Sequence, residues 1–102
     1  MHKVPMLDEY NRLFFEGIRI PIPDECRYLY FEGIQAERIC QFAEAERKFE
    51  KAQECFAKHE YWAGVGRALV QRARILRHHG KFQEALEFIH HALEALHQTS
   101  QS

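Results

Sequence analysis

Arginine, histidine and cysteine are the residue types in this chain whose spacing could support chemistry. One stripe of mostly basic residues recurs at helical spacing, and it consists of Arg67, Gln71, Arg74, Arg77 and His78. Guanidinium groups bind carboxylates through bidentate hydrogen bonds, so the stripe favours an acidic ligand. The competing interpretation is a solvated arginine face that is partly paired with Glu37 and its neighbours.

The chain also has seven histidines and three cysteines, which are potential metal ligands. Helices bind metals through ligands four residues apart on one face. Among the histidines and cysteines only Cys55 and His59 have that spacing. Two ligands are weak evidence, and neighbours such as His78 and His79 point about 100° apart on a helix. We therefore interpret the histidines as exposed or capping residues and predict no metal site and no cofactor.

The cysteines are Cys26, Cys40 and Cys55, an odd number that contains no C-x-x-C pair. This pattern predicts neither a disulfide framework nor a zinc knuckle, and a reducing cytoplasm is the simplest location. No apolar run approaches the roughly 18 residues that span a bilayer, and the first residues lack the apolar core of a signal peptide. We expect a cytoplasmic protein without a membrane segment.

Composition argues against several classes of function. The chain has 14 basic and 15 acidic residues and a net charge of −1, so it lacks the basic excess that drives non-specific binding to nucleic acid. The sequence contains no Gly-rich phosphate loop, nucleophile elbow or H-E-x-x-H motif. Its serines and threonine all lie at positions 99–102. We therefore predict a non-catalytic protein.

The elements that must position these residues are helices. No proline follows Pro23, and helix-favouring residues dominate the remainder of the chain. The pattern predicts one all-α domain over residues 1–102, with a short first helix at about Leu7–Glu16 and an extended linker up to Pro23. Asp24 is the predicted N-cap of the next helix. Longer helices are expected at about Glu25–Ile39, Phe42–Lys58, Tyr61–His78 and Phe82–His97, followed by a polar tail at 98–102.

One pattern of alternating bulk occurs twice in the chain. Phe42, Ala45, Phe49 and Ala52 return as Phe82, Ala85, Ile89 and Ala92. The small residues let a neighbouring helix approach closely, and the large ones interlock with it. The period that separates the two copies is typical of stacked helical repeats, in which each helix pair buries its surface against the next.

The pattern resembles the tetratricopeptide repeat family in its longer, roughly 40-residue variant. The resemblance covers about Asp24 to Leu96 as two repeats, at 24–59 and 60–97. Further marks that carry it are Gly33, Ala73, the segment Trp62–Leu69 and the turn Gly80-Lys81-Phe82. The family's usual tryptophan and leucine are replaced by Leu29 and Glu32 in the first repeat, and by Leu69 and Arg72 in the second.

The resemblance implies antiparallel helical hairpins stacked as a short right-handed superhelix, with the predicted first helix as an N-terminal extra helix. In such a stack the first helix of each hairpin lines a concave recognition surface. The predicted partner-binding groove consists of Arg27, Tyr30, Ile34, Arg38, Arg67, Gln71, Arg74, Arg77 and His78. Its expected ligand is an acidic peptide or helix of a partner protein. The alternative is a nucleic-acid-binding repeat that uses Arg67, Arg74 and Arg77, which the near-neutral net charge disfavours.

The last predicted helix has more apolar surface than the helix that carries the first copy of the pattern. Glu46, Lys48 and Gln53 correspond there to Leu86, Phe88 and Leu93. A terminal repeat normally needs a polar outer face, so we expect a second copy, a partner segment or further repeats of a longer array to cover this helix. Because two repeats are fewer than the roughly three that stability requires, a homodimer is preferred. The predicted interface consists of Leu86, Phe88, Ile89, Leu93 and Leu96.

Overall fold

The computed structural model of this chain describes residues 22–101. The first predicted helix, at about Leu7–Glu16, and the linker before Ile22 lie outside the described residues. Within them the chain forms four helices, which are α1 (Asp24–Arg38), α2 (Phe42–Lys58), α3 (Trp62–His78) and α4 (Phe82–Gln101). The predicted all-α class is therefore confirmed, and the bounds of α1 to α3 agree with the prediction to within one residue. The last helix continues through most of the predicted polar tail.

Asp24 is not the N-cap of α1, which corrects the prediction. Pro23 occupies the cap position, and its carbonyl oxygen accepts a hydrogen bond from the Cys26 amide at 3.1 Å. Asp24 is the first helical residue, and its carboxylate pairs with the Arg27 guanidinium one turn later. A carboxylate in the first turn also interacts favourably with the positive end of the helix dipole.

Each of the first three helices ends in the same turn, and the turns are evenly spaced along the chain. Cys40, Glu60 and Gly80 have φ angles of 62°, 56° and 80°. The amide of the next residue reaches back five positions, as in the 2.9 Å bond from Gln41 N to Ala36 O. This arrangement is a Schellman motif, which satisfies carbonyl groups left unpaired at the helix end. A helix and its closing turn therefore recur about every 20 residues over α1 to α3, which is half the period of the sequence pattern.

Helices adjacent in sequence pack against each other, and small residues set how closely they approach. A Cβ atom on Gly33 of α1 would lie 2.6 Å from the Phe49 ring of α2, and one on Gly64 of α3 would lie 2.5 Å from the Phe56 ring. Phe49 and Phe56 are fully buried, as are the repeat alanines Ala45 and Ala52. The alternation of large and small residues found in the sequence thus forms the core.

Cys26 of α1 and Cys55 of α2 form a disulfide, so the prediction that disulfide bonding is unlikely is wrong. The α1–α2 hairpin brings the first turn of α1 beside the last turn of α2, and the two Cα atoms lie 5.4 Å apart. Cys40, the remaining cysteine, is exposed. Cysteine count and spacing could not predict this pairing, because it depends on the register of the two helices.

Among the helices of residues 22–101, none combines the length and the apolar character that crossing a bilayer requires.

Candidate protein-binding groove

A chain of polar contacts joins α1 and α3 on the side where the binding groove was predicted. Gln71 donates a hydrogen bond to the Tyr30 hydroxyl at 3.1 Å, and Arg74 donates one to the Gln71 side-chain oxygen at 3.0 Å. A second nitrogen of Arg74 lies 3.6 Å from a carboxylate oxygen of Glu37. α1 and α3 are not neighbours in sequence, and these contacts connect them. A groove on their common surface requires such a connection.

Tyr30 is not part of an exposed groove surface, which corrects the prediction for this residue. Only 2% of its surface is exposed, and its ring packs edge-on against Phe49 with centroids 5.4 Å apart. Burial raises the pKa of the Tyr30 hydroxyl, although the Gln71 hydrogen bond opposes the shift. Tyr30 was assigned to the groove as part of a helical stripe, but it lies four residues after the buried Cys26 and therefore faces α2.

A cavity of about 480 Å³ opens where the C-terminal end of α1 meets the C-terminal end of α3. Its lining combines apolar, basic and acidic side chains, and it consists of Ile34, Glu37, Arg38, Phe42, Arg74, Arg77 and His78. The Phe42 and His78 rings stack at a tilt with centroids 4.5 Å apart. We call this feature the basic cavity. It brings together Ile34, Arg38, Arg74, Arg77 and His78 of the predicted groove.

The other predicted groove residues lie outside the basic cavity. Arg27 is in the first turn of α1, where it pairs with Asp24. Arg67 is exposed near the buried rings of Tyr30 and Tyr61. Burial raises the pKa of Tyr61 to about 12, and the Arg67 charge opposes that shift. Gln71 acts as a link between α1 and α3 and does not line the cavity.

Two residues of the basic cavity, Phe42 and Glu37, were not predicted from the sequence to line the groove. Phe42 was assigned to the core because it begins the repeated pattern, yet it is only half-buried beside His78 and His79. Glu37 was considered only as a partner that neutralises the arginines. The signal available for Phe42 was its place immediately after a turn, where a helix-start side chain can reach the end of a neighbouring helix.

A second cavity, of about 390 Å³, lies between α3 and α4 and shares a wall with the first. Its lining is mainly apolar and consists of Ala73, Arg74, Arg77, Phe82, Ala85, Leu86 and Ile89. We call it the apolar cavity. Arg74 and Arg77 line both cavities. A ligand lying over these two arginines would therefore meet guanidinium groups on one side and apolar side chains on the other.

The predicted α4 interface divides into exposed and half-buried residues. Leu86, Leu93 and Leu96 are 56%, 58% and 40% exposed. Ile89 and Phe88 are half-buried, and the Phe88 ring lies beneath the Arg72 guanidinium at 4.6 Å. Leu86 and Leu93 are therefore exposed surface, whereas Phe88 and Leu96 lie against α3 at Arg72 and Gly66.

Arg72 joins three helices, a role that the sequence did not reveal. Its Nε and Nη2 atoms lie 2.8 and 2.7 Å from one carboxylate oxygen of Glu46, and Nη1 donates to the Gln53 side chain at 2.8 Å. Both partners are on α2, while the stacked Phe88 is on α4. In the sequence Arg72 was noted only as a departure from the leucine of the family pattern.

The chain matches no protein-family model, no curated protein and no solved structure in comparisons with known proteins.

Proposed function

We propose that this chain is a non-catalytic interaction module of the tetratricopeptide-repeat type that binds an acidic, amphipathic segment of a partner protein. The observation that carries the proposal is the position of Arg74 and Arg77, which line both the basic cavity and the apolar cavity. The structurally equivalent turns at Cys40, Glu60 and Gly80 support the repeat assignment.

The side chains that line the two cavities favour a ligand that has both carboxylates and apolar groups. Guanidinium groups bind carboxylates through charge-assisted hydrogen bonds, each worth about 1.5–3 kcal/mol. An apolar side chain that enters the apolar cavity contributes about 1.5–3 kcal/mol more on a transfer scale. An amphipathic segment supplies both kinds of group at the spacing of one helical turn. Glu37 lies on the basic cavity and repels phosphates as well as carboxylates, so it favours a ligand with few, well-placed charges.

A nucleic acid is the second candidate ligand, through Arg67, Arg74 and Arg77. A net charge of −1 and the Glu37 carboxylate beside Arg74 both disfavour a polyphosphate backbone. Nucleic acid therefore forms a separate arm of the binding experiment.

The test is fluorescence anisotropy with a labelled peptide of leucine and glutamate in amphipathic helical spacing. Matched probes are the same peptide with lysine in place of glutamate and a single-stranded RNA. Arg77→Glu should weaken binding of the acidic peptide about tenfold or more, since about 1.4 kcal/mol corresponds to a factor of ten. The control is Lys51→Glu, which makes the same change of net charge on the exposed face of α2.

Equal affinity of the wild type and Arg77→Glu for the acidic peptide would overturn the groove assignment. Binding of RNA in preference to the peptide, with a steep loss of affinity in salt, would identify a nucleic-acid module instead.

We further propose that the module self-associates through the exposed leucines of α4 and works in the cytoplasm. The Cys26–Cys55 disulfide is the feature that speaks against this location, because a reducing cytoplasm keeps thiols free. In that compartment both sulfurs would be available as thiols.

A further inference from the structure

Three potential metal ligands from two helices meet at one end of the α1–α2 hairpin. They are Cys26 in the first turn of α1, Cys55 in the last turn of α2 and His59 at the C-cap of α2. One ligand atom from each residue lies within 4.8 Å of the other two. The sequence contained the Cys55–His59 pair, and the fold adds Cys26 as a third ligand from the opposite helix.

The three side chains differ in solvent exposure. Cys26 is fully buried, Cys55 is half-buried and His59 is exposed. An ion could therefore enter from the side of His59 and reach both sulfurs without crossing the core. The exposed side also leaves room for water as a fourth ligand.

Thiolate and imidazole ligands select zinc among the common divalent cations, and zinc binds them tetrahedrally. With Zn–S bonds of about 2.3 Å and Zn–N bonds of about 2.0–2.1 Å, neighbouring ligand atoms are about 3.5–3.8 Å apart. The three ligand atoms of this chain lie within 4.8 Å of one another, which is close to that spacing. In the disulfide each sulfur is bonded to the other, so neither is a thiolate. The disulfide and a bound metal therefore exclude each other.

We propose that Cys26, Cys55 and His59 bind one Zn²⁺ ion in the reduced chain, and that the Cys26–Cys55 disulfide is the oxidised, metal-free form of the same site. A thiol reductant supplies two electrons and two protons, so the S–S bond breaks, two thiols form and the reductant becomes a disulfide. Zn²⁺ then replaces the two thiol protons, which pass to water. In either state the site joins the first turn of α1 to the last turn of α2.

The experiment compares metal binding by the reduced and the oxidised full-length chain. After reduction with a phosphine, Co²⁺ should give one equivalent of a sulfur-to-cobalt charge-transfer band, and Zn²⁺ should abolish it by displacement. The oxidised chain should show no such band. Zn²⁺ affinity is then measured by competition with a chromogenic chelator.

His59→Ala tests the third ligand without disturbing the core, because His59 is exposed. We expect a loss of Zn²⁺ affinity greater than about 100-fold, since the loss of an outer-shell partner alone costs about 10–100-fold. His79→Ala is the matched control. His79 occupies the same C-cap position one helix later, with Ile75 where Cys55 stands. Cys40→Ser should leave the band unchanged.

Three results would overturn the proposal. They are a reduced wild type without the charge-transfer band, an unchanged Zn²⁺ affinity in His59→Ala, and equal Zn²⁺ binding by the oxidised and reduced chains. Circular dichroism of the reduced, zinc-free chain shows whether the hairpin stays folded. Loss of helix that Zn²⁺ restores would support the proposal, because the metal would then connect α1 to α2.

Discussion

Among residues 22–101, two residues other than glycine adopt a backbone conformation that normally favours glycine. Cys40 and Glu60 have φ angles of 62° and 56°, at the turn position that Gly80 occupies after α3. A residue with a Cβ atom in this region is strained by roughly 1–2 kcal/mol. Glycine relieves the strain but costs about 0.5–1 kcal/mol through the greater freedom of the unfolded chain.

We predict that Glu60→Gly raises the free energy of unfolding by up to about 1 kcal/mol, the difference between these two contributions. Urea unfolding followed by circular dichroism measures the change. Gly80→Ala is the converse control and should lower stability, since nothing lies within 4 Å of a Cβ atom there and only backbone strain acts. A Glu60→Gly protein that is less stable than the wild type would contradict the assignment of strain to this turn.

Residue-level features were the hardest to predict from the sequence. Asp24 has the residue type of an N-cap, yet Pro23 takes the cap position. Tyr30 was assigned to the groove, yet it follows the buried Cys26 by four residues and is buried on the same face of α1. The Asp24 error is a shift of one residue at the helix start. The width of the buried face of α1 could not be predicted, because it depends on how α1 packs against α2 and α3. Arg38, Arg74 and Arg77 line one cavity, and their assignment to a binding groove stays a prediction.

Helices as elements were predictable because their signals are local. The signals were the helix-favouring composition, the repeat with alternating bulk and Gly80 as a helix stop. The predicted bounds of α2 match the structure, and those of α1 and α3 agree to within one residue. The C-terminal end of α4 was predicted too early, at His97 instead of Gln101, since the polar residues after His97 were interpreted as a tail. Polar composition alone does not end a helix.

A single guanidinium, that of Arg72 on α3, makes polar contacts with α2 and covers a ring of α4. With 14% of its side chain exposed, Arg72 binds Glu46 and Gln53 and covers the Phe88 ring. Removing only the arginine leaves the Glu46 carboxylate without its partner. Hydrogen bonds to a charged group contribute about 1.5–3 kcal/mol, and the cation–π contact adds about 0.5–1 kcal/mol.

We therefore predict that Arg72→Leu lowers the free energy of unfolding by about 2 kcal/mol. Arg72→Leu combined with Glu46→Leu should recover part of the loss, because no uncompensated charge remains between the helices. Arg47→Leu, which removes an exposed pair with Glu44, is the control and should have a much smaller effect. Denaturant unfolding is measured for the wild type, for each single variant including Glu46→Leu, and for the double variant. The four free energies of unfolding give the coupling energy between Arg72 and Glu46. An additive double substitution would show that Arg72 and Glu46 do not act together.

At the scale of the whole molecule, the last helix of the series has an exposed apolar side. The α4 end exposes Phe82, Leu86 and Leu93 to 61%, 56% and 58%. They lie on one side of the helix, where Phe82 and Leu86 also line the apolar cavity. Ala85, Ala92 and Ala95 of the same helix are buried against the rest of the molecule. A stack of helical repeats usually ends in a polar face, so this surface is expected to be covered.

A second copy of the chain is the occupant that we propose for this surface. A two-fold axis would place the same leucines opposite each other, and each leucine that becomes fully buried contributes about 1.5–3 kcal/mol. Sedimentation at micromolar concentration should give a dimer for the wild type and a monomer for Leu93→Glu, which places a charge in the apolar contact. Gln98→Glu adds the same charge about 140° around α4, counting about 100° per residue, and should remain dimeric. A monomeric wild type, or a Leu93→Glu protein that still dimerises, would move the interface elsewhere.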